Sequence, residues 1–316
     1  MQAVLAARID RLPPVEKQLL QTAAVIGAAV PLALLQAIAE LPGDIMYRGL
    51  AHLQAAEFLY ETRLFPEREY TLGMATAKEG VRIAEEVNHP LSRIAAYDGV
   101  GIVSFFKGDL HQAISVLERG LALFQSLYIP AWSTFYPLLG AAYALSGRLA
   151  EALPWLEQAV EHANTRELIA HQALWLAHLS EAYLLAGRLD DAYTRAGQAL
   201  EFARGHKGRG HEAYAMRLLG EVAAQREPLD IDHATTHYRQ ALALAEELGM
   251  RPLQAHCHRG VGTLYVKIGW REQARLALSA AIALYRTMDM TFGLPQTEVA
   301  LAQVTERLWT IMSSLH

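Results

Sequence analysis

One spacing recurs along this chain and constrains its fold more than any other feature. Between Tyr136 and Val160 it reads Tyr136-x2-Leu139-Gly140-x2-Tyr143, then Ser146-Gly147-Arg148, then Ala152-x3-Leu156. Upstream stands Tyr97-x2-Val100-Gly101-x2-Ser104, with Gly108 and Ala113-x3-Leu117. Downstream come Leu176-x2-Leu179-Ser180-x2-Tyr183 with Gly187 and Ala192-x3-Ala196, then Met216-x2-Leu219-Gly220-x2-Ala223 with Ala234-x3-Tyr238. The last copy is His258-x2-Val261-Gly262-x2-Tyr265, with Gly269 and Ala274-x3-Leu278. The position of Gly140 advances by 39, 40, 40 and 42 residues between copies. Tyr136, Leu139, Gly140 and Tyr143 share one face of a helix. Gly147 can take the positive φ at which a helix ends and the chain reverses. Ala152, Leu156, Ala159 and Val160 mark the stripe of a second helix. Gly140, Ala152 and Ala159 are small where the two helices must approach. A two-helix unit cannot cover both of its apolar faces, so copies in phase have to stack.

The pattern resembles the tetratricopeptide repeat, with its W-x2-L-G-x2-Y and A-x3-F signature. The period here is longer than the usual ~34 residues, and the leading aromatic varies. The resemblance implies an all-α fold: a right-handed α-solenoid whose first helices line a concave inner face. The residues flanking the packing pair then point inward. They are Asp98, Ile102, Phe105 and Phe106; Pro137, Ala141 and Leu145; and His178, Glu181 and Leu185. Arg217, Glu221 and Gln225 follow, and then His256, Arg259, Thr263 and Lys267. One end of this groove is apolar and the other charged. Glu181 and Glu221 lie one repeat step apart, as do Arg217 and Arg259. Stacking is therefore expected to set an acidic ladder beside a basic one, where a partner would dock; the alternative is that Arg217 pairs with Glu221 at i, i+4 on its own helix.

The expected function is non-enzymatic recognition of a protein or peptide segment. The candidate contacts are Phe105, Phe106, His178, Glu181, Arg217, Glu221, Gln225, His256, Arg259, Thr263 and Lys267. The alternative is a small-molecule sensor with its ligand inside the superhelix, and a third reading is a cryptic enzyme. An open groove favours the peptide, a buried cavity the sensor, and convergent perturbed acids and bases the enzyme.

Composition narrows the partners. Over 316 residues the net charge is only −5 with both signs interspersed, so no basic field exists for nucleic acid or an anionic membrane. A single cysteine, Cys257, rules out an internal disulfide and fits a reducing, cytoplasmic setting. No signal peptide is legible. Gln18–Ala39 carries no charge, but Gly27 and Pro31 interrupt it, which reads as two amphipathic helices with a turn rather than a membrane span.

Residues 1–72 lack the repeat. Helices are expected over Val4–Ile26, restarted at the second proline of Pro13-Pro14, then over Pro31–Glu40 and Ile45–Ala56. Phe58–Thr62 and Glu69–Leu72 read as a strand hairpin, completing a winged-helix-like layout. The run LAARIDRLPPVEKQLLQTAAVIG, with LAHLQAAEFLYET and EREYT, is similar to the region after the nucleotide-binding domain of bacterial STAND-type ATPases. In large relatives a nucleotide cyclase or kinase precedes that ATPase. The resemblance implies a signalling regulator whose ATPase or cyclase acts in cis or in trans. No G-x-x-x-x-G-K-[ST] is present, so the phosphate cradle of such ATPases is missing here. The expected domains are 1–72 winged-helix-like, 73–290 repeats (a half repeat plus five) and 291–316 a capping helix.

Other candidates carry less. His233-x3-His237 beside Asp230 and Asp232 has the i, i+4 spacing of zinc ligands, against a plain helix start capped by Asp232. His256-Cys257-His258 would point apart on a helix. Arg204, His206, Lys207, Arg209 and His211 form a basic loop that could grip phosphate or be an inter-repeat turn. Arg48 is the only cation of the third helix, too few for DNA. No catalytic motif, cofactor or metal is expected.

Overall fold

The structure is a computed structural model that describes residues 9, 12–26, 41–42, 45–46, 48–50, 53, 69–127, 135–166 and 169–313. The chain divides into two compact units, residues 1–63 and 64–316.

In the first unit helix α1 spans Pro14–Ile26 and begins at the proline that the sequence marks as a helix start. Leu19, Met46 and Leu53 are fully buried together, ringed by Leu12, Val15, Leu20, Leu41 and Leu50. The expected helix over Pro31–Glu40 and the strand over Phe58–Thr62 lie outside the described residues.

The second strand of that hairpin is corrected. Glu69–Leu72 opens helix α2, Glu69–Val87, in the second unit. Tyr70 is buried whereas Leu72 is 65% exposed. In a strand residues i and i+2 would share a face. The Tyr70 ring instead joins Tyr285, Met288 and Met290, and burying that ring outweighs local strand propensity.

Eleven further helices follow among the described residues: α3 (Pro90–Lys107), α4 (Leu110–Ser126), α5 (Phe135–Leu145), α6 (Leu149–Arg166), α7 (Ile169–Leu185), α8 (Leu189–Gly205), α9 (Arg209–Ala223), α10 (Ile231–Glu247), α11 (Arg251–Lys267), α12 (Arg271–Thr287) and α13 (Leu294–Ser313). Each packs against the next. The odd-numbered helices from α3 to α13 also touch the next odd-numbered one, and these make the inner layer.

The turns are where the sequence expects them. Gly108, Gly147, Gly187 and Gly269 all take positive φ. At Gly147 the amide donates to Ala144 O at 3.0 Å and the Arg148 amide to Tyr143 O at 2.9 Å, which satisfies carbonyls left open at the helix end.

The small residues also have their reason. A Cβ on Gly140 would stand 3.0 Å from Leu156 Cγ and 3.4 Å from the Ala152 carbonyl oxygen. Ala159, expected as a neighbour, is not among its nearest atoms. Ser180 fills the equivalent site and donates to Ala192 O at 2.8 Å. Gly197 in α8 has nothing within 4 Å of the same added atom. Gly197→Ala should therefore stabilise the protein by about 0.5–1 kcal/mol, read as a higher urea midpoint at unchanged slope.

The second unit closes on itself. Lys107 Nζ pairs with Asp289 Oδ2 at 2.6 Å, 182 residues away. A Cβ on Gly108 would lie 2.6 Å from Phe292 Cβ. Val103 and Phe106 pack with Tyr285, Met288 and Met290. The first hairpin thus meets the last, and the inner layer surrounds a central space. Helix α13 covers α11 and α12, with Val304 buried beside Ala274 and Leu278. None of the described helices is long and apolar enough to cross a membrane.

Candidate functional site: the central cavity

The central space is a cavity of about 530 Å³, lined chiefly by residues of α3, α5, α7, α9, α11 and α13, with Leu110 of α4, Tyr238 of α10, Met290 and Phe292. All eleven residues read from the sequence as groove contacts line it: Phe105, Phe106, His178, Glu181, Arg217, Glu221, Gln225, His256, Arg259, Thr263 and Lys267. Leu145 and Leu185 line it too, whereas Asp98, Ile102, Pro137 and Ala141 are not in its wall.

The charge arrangement differs from two like-charge ladders. Arg217 bridges two carboxylates, with Nη2 donating to Glu181 Oε1 at 2.8 Å and Nη1 to Glu221 Oε1 at 2.7 Å. Glu181 is 36 residues before Arg217 and Glu221 four residues after. The inner helices stack at a step of 40, so a residue one helical turn ahead of Glu221 lies within reach of both acids. Arg217 is only 4% exposed and is therefore an internal strut rather than a free docking residue. Burial works against its charge, but Glu221 and Glu181 outweigh it and hold the guanidinium above its ordinary value. Burial likewise pushes the Glu181 carboxyl up, and Arg217 overcomes this and leaves it below the usual carboxylate range.

The rest of the polar wall is mostly neutral. Burial pushes His178 down to about 4. Its Nε2 is buried without a hydrogen bond in the structure, and its ring meets the Phe105 ring edge-on at 5.5 Å. Burial also drives His256 well below its ordinary value, and its Nδ1 lies 2.7 Å from the Tyr285 hydroxyl. Thr263 Oγ1 donates to Arg259 O at 2.9 Å and Lys267 Nζ to Ala224 O at 2.8 Å. Tyr214 in the wall and Cys257 behind it are each pushed up to about 12 by burial, so neither is a nucleophile near neutral pH.

Outside the cavity the other candidates resolve into structure. Asp230, not Asp232, caps α10, accepting from the His233 amide at 3.3 Å, while both of its oxygens lie 2.9 Å from His233 Nδ1. Among the described residues no group of three or more metal-ligating side chains converges. The basic loop is an inter-helix turn. Arg204 pairs with Glu212 at 2.8 Å, Arg209 grips Glu247 with two bonds at 2.6 and 2.7 Å, and His206 stacks on Phe202.

Sequence reading missed two things. Met290, Phe292, Gln296 and Ala300 reach the wall from beyond the last copy, so no periodicity points to them. A tyrosine–glutamate–arginine module also recurs. Tyr143 donates to Glu118 at 2.7 Å under Arg148, and Tyr183 to Glu157 at 2.7 Å under Arg188. The Gly-Arg pair after each of these turns was its legible signal.

The described repeats are tetratricopeptide-like helical hairpins, a class that rests here on their stacking and turns. No family model matches the chain. No curated protein matches it either. Solved structures with a measurable likeness include BtubC (BKLC) from P. vanneervenii, at 19% identity over 70% of this chain and 93% of that one, TM-score 0.48. A signal transduction ATPase with numerous domains (STAND), carrying a tetratricopeptide repeat sensor, from Pyrococcus horikoshii is 13% identical over 94% of this chain, TM-score 0.48. The alignment spans 54% of that protein's length. Aspartyl phosphate phosphatase F from Bacillus subtilis is 13% identical over 95% of this chain and 84% of its own, TM-score 0.49.

Proposed function

We propose that this chain is a non-enzymatic recognition module that holds a small ligand within its repeat stack. In this reading it is the sensor part of a cytoplasmic bacterial signalling regulator, with an ATPase or cyclase output in cis or in trans. The observation that carries the reading is the closure of the first hairpin on the last, which turns the inner face into a cavity of about 530 Å³. Small-molecule sites fall at about 300–1,000 Å³, mostly apolar with a few placed polar groups. The Lys107–Asp289 and Gly108–Phe292 contacts bring the first hairpin against the last, which favours a bounded site over an open-ended groove, so the sensor is preferred here to the peptide groove.

Thr263 is exposed in the cavity wall, so Thr263→Trp fills space without disturbing a packed core. A thermal-shift screen of small metabolites should find a compound that, at about a hundredfold over its Kd, raises Tm by roughly 5–10 °C. The same compound should leave Thr263→Trp unmoved. Hits that stabilise both forms equally, or binding confined to extended peptides, would remove the cavity reading.

A further inference from the structure

We infer that the cavity is built for a small organic monoanion with an apolar body, such as an aryl or alkyl carboxylate or sulfonate, its charge held by Arg259. This inference rests on the cavity reading above. Arg259 projects from α11 into the cavity wall and is half-buried. Arg217, one repeat earlier, already has both terminal nitrogens on carboxylates and only its buried Nε left without a partner. Among the described residues no carboxylate stands within ion-pair distance of Arg259, and no hydrogen bond engages its guanidinium. A planar guanidinium with unused donors in a partly dry site gains most from a bidentate oxyanion.

The balance of the wall fixes the charge of the ligand. Arg217, Arg259 and Lys267 face Glu181 and Glu221, and burial keeps His178 and His256 neutral. Three cations against two carboxylates leave one positive charge. A neutral ligand would desolvate Arg259 with no compensation. A polyphosphate would bring several negative charges into a wall that already holds two glutamates. The remaining surface, from Phe105, Phe106, Leu145, Leu185 and Phe292, offers no charged partner and suits an apolar body.

The test uses two fluorescent probes with one anilinonaphthalene body, the anionic 8-anilinonaphthalene-1-sulfonate and the neutral N-phenyl-1-naphthylamine, titrated into the full chain. The Arg259 guanidinium makes no ion pair or hydrogen bond among the described residues and acts on Glu181 only from a distance, so Arg259→Gln should fold as the parent does, checked by circular dichroism. The expected result is one bound sulfonate per chain, about tenfold or more tighter than the amine. Arg259→Gln should bring the sulfonate down to the affinity of the amine and leave the amine unchanged, with Arg259→Lys in between. Thr263→Trp should abolish both. Equal affinities that Thr263→Trp removes would overturn the anion class while the cavity reading stands. A sulfonate preference that persists in Arg259→Gln would overturn the inference in the same way. Binding that survives Thr263→Trp, or no binding of either probe, would remove the cavity reading and this inference together.

Discussion

Arg217→Met should cost about 3–5 kcal/mol of stability, the range for removing one partner from a buried ion network. The parent arginine neutralises Glu181 and Glu221 at 2.8 and 2.7 Å inside the inner layer. Methionine fills much of the volume but leaves two acids together in a largely dry wall. The pH dependence gives the loss a signature. In the parent, the folded carboxyl of Glu181 titrates below its unfolded value. It therefore contributes stability above an unfolded pKa of about 4.3, which is lost as the pH falls through the folded value. In the variant the cation is gone and burial alone acts on Glu181, so its folded pKa rises above the unfolded one and protonation favours folding. The gap between parent and variant should be widest near neutral pH and narrow towards about pH 4.5. Urea denaturation at several pH values reads this directly. The triple variant Arg217→Met/Glu181→Gln/Glu221→Gln should recover most of the loss at neutral pH. A pH-independent gap would mean that the cost comes from packing and not from the stranded acids.

The second large effect is expected at Gly262. A Cβ there would come within 2.7 Å of both Leu278 Cδ2 and Cγ and 3.2 Å of the Leu278 amide nitrogen. The leucine tip could turn aside, but the backbone of α12 cannot without shifting the hairpin. Gly262→Val adds two further carbons to that contact, so the cost should reach the upper part of the usual over-packing range, about 3 kcal/mol. Ser180→Ala, at the equivalent site of the third copy, should cost only about 0.5–1.5 kcal/mol, because its Cβ is already accommodated and one hydrogen bond to Ala192 O is lost. Chemical denaturation followed by circular dichroism compares the two. Equal midpoints would show that the glycine of the repeat is not a steric requirement in the last hairpin.

Both predictions depend on a division between what is local in this chain and what is not. The repeat, the hairpin turns at Gly108, Gly147, Gly187 and Gly269, and most of the inward-facing positions, though not Asp98, Ile102, Pro137 and Ala141, were legible in the sequence. Each follows from helical periodicity within one copy and from contact with the next copy, which the repeat step sets. The same reasoning failed at Glu69–Leu72, because the burial of Tyr70 is decided by Tyr285, Met288 and Met290 at the far end of the chain. It offered the Arg217–Glu221 pair only as the alternative to two ladders and did not give the bond to Glu181. A step of about 40 residues gives the stacking distance but not which of several side chains within one helical turn will pair, and Arg217 takes both Glu181 and Glu221. Above all, it left open whether the inner face is a groove or a cavity. Each copy fixes only a small rotation relative to its neighbour. Whether those rotations add up to bring Lys107 against Asp289 is a property of the whole stack, so only the tertiary structure decided that the first hairpin meets the last.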